Sequence, residues 1–545
     1  MPGLKPFKGW RLETGGWRLV VLAILAVLSA RAAAATTGLD AAMQPLTERS
    51  FKAKEQAVTA IAESGDERAV EILRALLKGR LYYRKDDKRV MLATRHGEGY
   101  RITDAATGAD LGQVGRRDIA KVVTNNQMRS RLRSAIAGLS LNHPKAAVRL
   151  AAVKEMLEGI DAETAVRFRT RLAVEKDAAV RQELATGIAL SELRSADAPT
   201  RRSAVGVLTG SLEPVVRNRL TAAANADPSA EVRAAAKKAL ETIELKLRLN
   251  AAAETLFFGL SLGSVLVLAA IGLAITFGVM GVINMAHGEL IMIGAYTTYL
   301  VQQAMPEAMA YSLFVAIPAA FLVSGLFGIA IERLVIRFLY GRPLETLLAT
   351  FGISLILQQL VRTTISAQNV TVENPGWMSG SLQINPALSI TYNRLYIIVF
   401  ALIVFVGLLL VLKRTALGLH VRAVSQNRAM ARAMGVPSGR VDALTFGLGA
   451  GIAGIAGVAL SQLANVGPNM GQGYIIDSFM VVVFGGVGNL WGTLVGGLTL
   501  GVANKVLEPW SGAVLAKILV LVFIILFIQK RPRGLFPQRG RAAEG

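Results

Sequence analysis

The polarity of the chain changes character once, near residue 250. Before that point apolar side chains recur at helical spacing among charged ones, and Val58, Ile61, Val70, Leu73 and Leu77 predict short amphipathic helices between Thr36 and Gly79. The stretch from Arg80 to Val123 has another texture. Leu81-Tyr82-Tyr83, Val90-Met91-Leu92 and Tyr100-Arg101-Ile102 are separated by Lys85-Asp86-Asp87 and His96-Gly97-Glu98-Gly99, which predicts short strands with turns, a small β insertion. Beyond Asn250 the pattern becomes long apolar runs, at about 256–278, 282–303, 310–331, 345–362, 395–412, 441–463, 474–486, 490–504 and 513–529, several of them able to cross a bilayer alone. The pair around Phe484-Gly485-Gly486-Val487-Gly488-Asn489 is short and glycine-broken, either two thin spans or one re-entrant hairpin.

From Asn142 to Glu244 a helical unit recurs, opened by Asp or Asn with Pro or Ala and continued by Val148-Arg149, Val180-Arg181, Val216-Arg217 and Val232-Arg233. The first three pairs lie 32 and 36 residues apart and the fourth 16 further on. Such irregular helical pairs resemble HEAT-type repeats, and an ordinary helical bundle is the plain alternative.

Charge sharpens the division. Residues 1–250 hold 42 basic and 28 acidic side chains, and residues 251–545 hold 18 and 10. A single soluble domain does not change composition so abruptly, and the second half reads as a polytopic membrane domain. The net charge of +22 follows from a translocated basic domain and retained basic loops without any nucleic acid. Zero cysteines exclude a disulfide scaffold, a thiol nucleophile and cysteine-bound metal. His96 and His143 lack metal-ligand spacing, so neither metal nor cofactor is expected.

Lys5, Lys8, Arg11 and Arg18 precede the apolar run Leu19 to Leu28, and small residues from Ala30 to Ala35 offer cleavage sites, although Arg31 interrupts them. This is the pattern of a signal peptide, with an uncleaved anchor as the alternative. Loop charge orients the spans independently. Six basic and no acidic residues in Lys413–Arg440, five basic in the tail from Lys530, and three in Glu332–Glu345 place these segments in the cytoplasm. Nine crossings then leave residue 251 outside, in agreement with the signal peptide.

Gly449-Ala450-Gly451-Ile452-Ala453-Gly454 satisfies G-x-G-x-x-G but lies in an apolar span with no preceding strand, where glycines serve close helix packing instead of dinucleotide binding. No G-x-x-x-x-G-K-[ST] occurs, so any ATP hydrolysis belongs to a partner and the chain is not itself an enzyme. Asn284, His287 and Glu289 open an apolar segment, where polar groups either face a substrate or hydrogen-bond a neighbouring span. For Asn284 and His287 the second role is expected. Glu332, Glu345 and Asp442 read as interfacial, and Lys505, Glu508 and Lys517 as reaching the outer surface. The segment Arg414 to Gly435 interleaves Ala423, Ala429, Met430, Ala433 and Met434 with Arg422, Arg428 and Arg432, a short amphipathic helix for anionic lipid or a partner's groove.

Four stretches together resemble the branched-chain amino acid type of ABC permease. They are Gly281-Val282-Ile283-Asn284-Met285-Ala286-His287-Gly288-Glu289 with Gly294-Ala295-Tyr296, then Ala349-Thr350-Phe351-Gly352-Ile353-Ser354, then Arg422 to Arg428 through Met434-Gly435-Val436, and Gly485 to Gly492. The N-terminal arrangement, with Asp104-Ala105-Ala106-Thr107-Gly108 and Leu111-Gly112 in the β insertion, resembles the urea-transporter permease subunit within that family.

The resemblance implies an all-α polytopic membrane domain of eight to nine spans, preceded by a signal peptide (1–35) and a mostly α-helical, HEAT-like extracytoplasmic domain (36–250) with a β insertion near 80–123. The permease domain would cover 251–535 and a cytoplasmic tail 536–545. It further implies a second related permease subunit, two cytoplasmic ATP-binding subunits and an extracytoplasmic solute-binding protein. Arg422, Ala423, Asn427, Arg428, Ala431 and Gly435 would form the loop that meets the ATPase, and Asn284, His287, Glu289, Asn465 and Asn489 would line the solute path. Urea needs amide and carbonyl partners in preference to fixed charge. Branched-chain amino acids or short amides are the alternative solutes. A passive urea channel and a membrane-anchored scaffold are the rival classes.

Overall fold

The computed structural model describes residues 38–537 apart from Glu67, Gly97 and Glu98; the signal peptide expected at 1–35 and residues 538–545 of the tail lie outside the described residues. The chain divides into two compact units between Glu244 and Leu245.

In the first unit, helices α1 (Phe51–Glu63) and α2 (Ala69–Leu77) precede five strands, β1 (Leu81–Arg84), β2 (Val90–His96), β3 (Gly99–Asp104), β4 (Asp110–Val114) and β5 (Ile119–Lys121). The sheet is antiparallel in the order β4-β3-β2-β1-β5, so its first and last strands lie side by side. The β insertion therefore leaves and re-enters the helical layer at one place. Helix α3 (Asn126–Ser140) starts where Asn125 accepts a hydrogen bond from the Met128 amide. Leu81 and Val90 join Ile61, Ile72, Leu76, Met128 and Leu132 in one core beneath these elements. Strands β4 and β5 carry no apolar alternation, which is why the sequence pattern shows only the first three.

Six further helices follow: α4 (Ala146–Leu157), α5 (Ala162–Val174), α6 (Ala178–Glu192), α7 (Ala198–Leu208), α8 (Pro214–Ala226) and α9 (Ala230–Met280), the last running on into the second unit. The recurrence they contain is not the Val-Arg spacing of 32 and 36. Arg149 binds both carboxylate oxygens of Glu175 at 2.7 Å and donates to the carbonyls of His143 and Pro144 at 2.8 Å. Fifty-two positions on, Arg201 binds both oxygens of Asp227 at 2.8 and 2.9 Å and the carbonyls of Ser195 and Ala196 at 2.9 Å. Arg181 and Arg233, also 52 apart, close the two units by donating to the carbonyls of Glu175 and Asp227. Arg217 belongs to α8 and has no part in this device, whereas Arg201 follows a threonine; a count of Val-Arg pairs includes the first and misses the second. The Arg149 guanidinium holds the Glu175 carboxyl well below the usual carboxylate range, and Arg201 does the same for Asp227.

The second unit continues from α9 with α10 (His287–Ala304), α11 (Ser312–Leu334), α12 (Pro343–Thr364), the hairpin β6 (Ser381–Asn385) and β7 (Leu388–Thr391), α13 (Tyr392–Arg414), α14 (Ala416–Gln426), α15 (Arg428–Ala433), α16 (Ser438–Ser461), α17 (Met470–Gly485) and α18 (Leu490–Lys530). Among the described residues six helices are long and apolar enough to cross a membrane: α9, α11 with its flanking turns, α12, α13, α16 and α18. Helix α18 is broken at Gly512, whose φ of 76° and ψ of 162° are non-helical.

Helix α16 is the centre of the bundle. Its apolar window is 83% buried, against 22% for α13 and 17% for α18, which present their side chains outward. Glycine produces that burial: a methyl group on Gly454 would fall 2.5 Å from both the Ala320 carbonyl oxygen and Ser324 Oγ of α11, and one on Gly449 would fall 2.7 Å from the Gly272 carbonyl of α9. The glycines at 449, 451 and 454 therefore do pack helices, with α16 touching its neighbours backbone to backbone.

Glu332, on α11, and Asp442, on α16, are buried within the protein, whereas Glu345 is exposed. Lys517 pairs with Asp477 of α17 at 2.8 Å, and Lys505 pairs with Glu508 at 2.5 Å.

Candidate functional site

Helix α9 ends at Met280, and Gly281 turns the chain with φ 68°, a conformation that strains any residue with a side chain. Residues 282–286 then run without helical structure into α10. Thr350 of α12 secures this crossing by accepting the Met285 amide at 3.1 Å, and Asn284 Oδ1 accepts the Ala286 amide at 3.0 Å. His287 is fully buried, with Nε2 2.8 Å from the Ala269 carbonyl of α9. A carbonyl only accepts, so Nε2 carries the proton and Nδ1 is left as an acceptor without a partner. His287 thus ties the start of α10 to α9, Asn284 holds the turn through the Ala286 amide, and Asn284 Nδ2 remains buried without a partner.

Glu289 faces the other way. From the first turn of α10 its Oε1 accepts hydrogen bonds from Ser354 Oγ at 2.9 Å and Gln358 Nε2 at 2.7 Å, both on α12. Its Oε2 is buried with no hydrogen-bond partner. The ion pairs Arg333–Glu332, Arg342–Glu345, Arg428–Asp442, Lys505–Glu508 and Lys517–Asp477 of this unit do not include Glu289. A buried carboxyl without a counter-cation is costly, and the positive end of the α10 dipole offsets only part of that cost. Gly471 of α17 closes the space beside it; a methyl there would fall 2.8 Å from Oε2. Two turns further along α10, the Tyr296 hydroxyl is also buried without a partner.

Of the two partners of Glu289, Ser354 closes the sequence motif Ala349 to Ser354 without being singled out there, and Gln358 lies beyond it. The signal was present: Thr346, Thr350, Ser354 and Gln358 recur every fourth residue, and all four are buried in an otherwise apolar helix. Asn465 stands apart from this group, exposed beside the backbone bridge Val370–Val466. Asn489 is a helix cap, accepting the Trp491 and Gly492 amides at 3.0 and 3.2 Å. It lines, with Arg422, Asn427 and Trp491, a separate cleft of about 1190 Å³.

The basic segment beyond α13 is two helices and not one. Asn427 breaks it with φ −153°, and its side chain caps α15 by accepting the Met430 amide at 2.9 Å. Gly435, at φ 82°, ends α15. Ala431 points inward and packs with Val421, Val424 and Val441, with Ala423 half-buried against them. Arg422 is turned back onto the Leu412 carbonyl, and Arg428 binds both oxygens of Asp442 at 2.7 Å. The large apolar side chains left outward are Leu419, Met430 and Met434, the last 78% exposed.

A bundle of apolar spans that seals itself with glycine and keeps unpartnered donors and acceptors inside has the build of a solute permease. The chain belongs to the family described as "Branched-chain amino acid transport system / permease component", whose model matches residues 255–528. It is 30% identical over 291 residues to the high-affinity branched-chain amino acid transport system permease protein LivH of Salmonella typhimurium, covering 52% of this chain and 94% of that one. It is 32% identical to the corresponding protein BraD of Pseudomonas aeruginosa, over 51% of this chain and 93% of the relative. A shorter match, 30% over 131 residues, covers 23% of this chain and 41% of the ribose import permease protein RbsC of Escherichia coli. No solved structure matches the chain. The described relatives are permease components and not enzymes.

Proposed function

We propose that this chain is a permease subunit of an ATP-driven importer in the bacterial inner membrane. It pairs with a second related permease, is driven by two cytoplasmic ATP-binding subunits and receives solute from an extracytoplasmic binding protein. Residues 251–535 form the translocating domain with eight to nine spans and a cytoplasmic C-terminus. Residues 36–250, exported by the signal peptide at 1–35, lie outside. The observation that carries the reading is Glu289 with Ser354 and Gln358: a buried acid held by a hydroxyl and an amide, with one oxygen left to accept from a solute N–H. Asn284 Nδ2 and Tyr296 Oη supply donors along the same path, while Asn465 and Asn489 act at its margins. The face formed by Leu419, Met430 and Met434 meets the ATPase, with Arg422, Ala423, Asn427, Arg428, Ala431 and Gly435 shaping it from behind.

For the solute, urea is the first reading. Its support is the N-terminal unit: the LivH relative has 94% of its length accounted for by 291 residues of this chain, which leaves no room in it for a counterpart of that unit. Urea carries only N–H donors and one carbonyl; Glu289 Oε2 would accept from the first, and Asn284 Nδ2 or Tyr296 Oη would donate to the second. Branched-chain amino acids are the second reading, favoured by the printed names of LivH and BraD. Uptake of labelled urea and labelled leucine, with and without this chain and before and after ATP depletion, tests both. Loss of ATP-dependent urea uptake alone is the expected result. Loss of leucine uptake alone overturns the urea reading, and urea entry that survives ATP depletion overturns the importer in favour of a passive channel.

A further inference from the structure

Arg428 is held from three directions. Asp442, at the start of α16, grips both terminal nitrogens at 2.7 Å; the Tyr340 ring lies 4.0 Å from the guanidinium carbon; and Asn427, immediately before it, caps the helix it opens. The Asp442 side chain is 6% exposed and that of Arg428 21%, so the pair is largely withdrawn from water, where a bidentate charge pair is at its most directional. One turn on, Arg432 Nε donates to Ser438 Oγ at 2.7 Å and Val436 N to the Ala431 carbonyl at 3.0 Å, so α15 is tied to the start of α16 at both ends. On the opposite side α15 is joined to α14 through the non-helical residue Asn427 and the apolar contact of Ala431 with Val421 and Val424.

We propose that Asp442 and Tyr340 are positioning residues that seat Arg428 and make α15 a rigid extension of α16. The inference rests on the reading that the Met430 and Met434 face meets an ATPase. A push on that face then moves α16, and α16 lies backbone to backbone against α9, α10 and α11, the last two flanking the Glu289 group or its neighbours. Without the seat, α15 swings about Asn427 and the same push is spent in the loop. The load-carrying pair joins the basic segment to the most buried helix of the bundle.

The test uses the complete transporter, with its second permease and ATP-binding subunits, in proteoliposomes containing the binding protein and labelled urea or labelled leucine. The readout is uptake per ATP hydrolysed. Asp442→Asn and Tyr340→Ala are expected to hydrolyse ATP while uptake per ATP falls about tenfold and severalfold respectively. Arg428→Lys, which keeps the charge but not the fork, falls between them and the parent. The exchange Arg428→Asp with Asp442→Arg restores at least half of the ratio. An unchanged ratio in Asp442→Asn overturns the proposal, as does an exchange variant no better than the single one. Because the chain has no cysteine, Met430→Cys gives one site for a thiol–amine crosslinker. A crosslink to the ATP-binding subunit with an unchanged ratio overturns this inference alone, whereas no crosslink in the active complex overturns the contact on which it rests.

Discussion

The two units handle buried polar groups differently. In the first, charge is abundant and mostly answered: Arg149 pairs with Glu175 and Arg201 with Asp227, each arginine also binding carbonyls, and the arrangement repeats after 52 residues, while Arg68 Nη1, Ser140 Oγ and Glu183 Oε2 are the buried atoms without a partner among the described residues. In the second, charge is scarce and several buried polar atoms are left unanswered, among them Asn284 Nδ2, His287 Nδ1, Glu289 Oε2, Tyr296 Oη and Gln462 Oε1. A structural unit gains by completing such networks; a solute path has to leave some incomplete for its passenger.

The sharpest way to break the contrast is to fill the glycine contacts. Gly454→Leu forces a side chain into the Ala320 backbone and Ser324, an overpacking of 3 kcal/mol or more by a rough estimate, and is expected to remove folded protein from the membrane, read as loss of a monodisperse peak in detergent. Wild-type yield and profile would show that α16 tolerates separation from α11.

Next in size is the ionic device of the first unit. Arg149→Ala strips the buried Glu175 of its bidentate partner and leaves it only Arg171, at 2.9 Å, and the Lys176 and Asp177 amides, a loss of about 1.5–3 kcal/mol, expected as accelerated hydrogen exchange across residues 146–192 of the full chain. Unchanged exchange there would mean that the pair is decorative. Acid acts on the same device. The folded-state pKa of Glu175 lies below its ordinary value of 4.5, so its stabilisation is complete above that value and is lost as pH falls from there toward the lower folded value. Protection of residues 146–233 should therefore decline below pH 4.5, and a flat profile to pH 3 or so would contradict the direction.

Smaller effects probe the second unit. Glu289→Gln retains shape but exchanges an acceptor for a donor, and about a tenfold rise in the solute concentration needed for half-maximal uptake is expected, near 1.4 kcal/mol. Parent-like uptake would remove Glu289 from the path. Asn489→Ala removes a cap and lowers stability by about 1 kcal/mol, seen as a lower melting temperature with the same half-saturating solute concentration; a changed half-saturation would return Asn489 to the solute path.

Much of the architecture was legible from pattern alone. The apolar runs after Asn250 fall within α9 to α13 and α16 to α18, and the three tyrosine- and valine-rich segments within β1 to β3, because burial against lipid or core imposes the periodicity that reading uses. Other features left no such trace. The edge strand β4 is polar, and the 52-residue repeat rests on Arg201 and Asp227, whose partnership is set by spatial return over 26 positions and by no local motif. The site divided in the same way. Asn284, His287 and Glu289 stand together in sequence, yet Asn284 bonds within its own turn, His287 reaches α9 and Glu289 reaches α12. Gln358 entered the site through the fourfold spacing of one polar stripe, a pattern present in the sequence and outweighed there by the apolar residues around it.

The glycine contacts of α16 have a further meaning for motion. Helices that interlock through side-chain ridges move past each other only if rotamers change on both faces, as the teeth of two gears must disengage. Where Gly272 meets Gly449 and Gly294 meets Gly454 there are no teeth. The contact is a plain bearing: tight enough to keep the bundle closed, smooth enough for a rod to turn in its housing without disturbing what surrounds it.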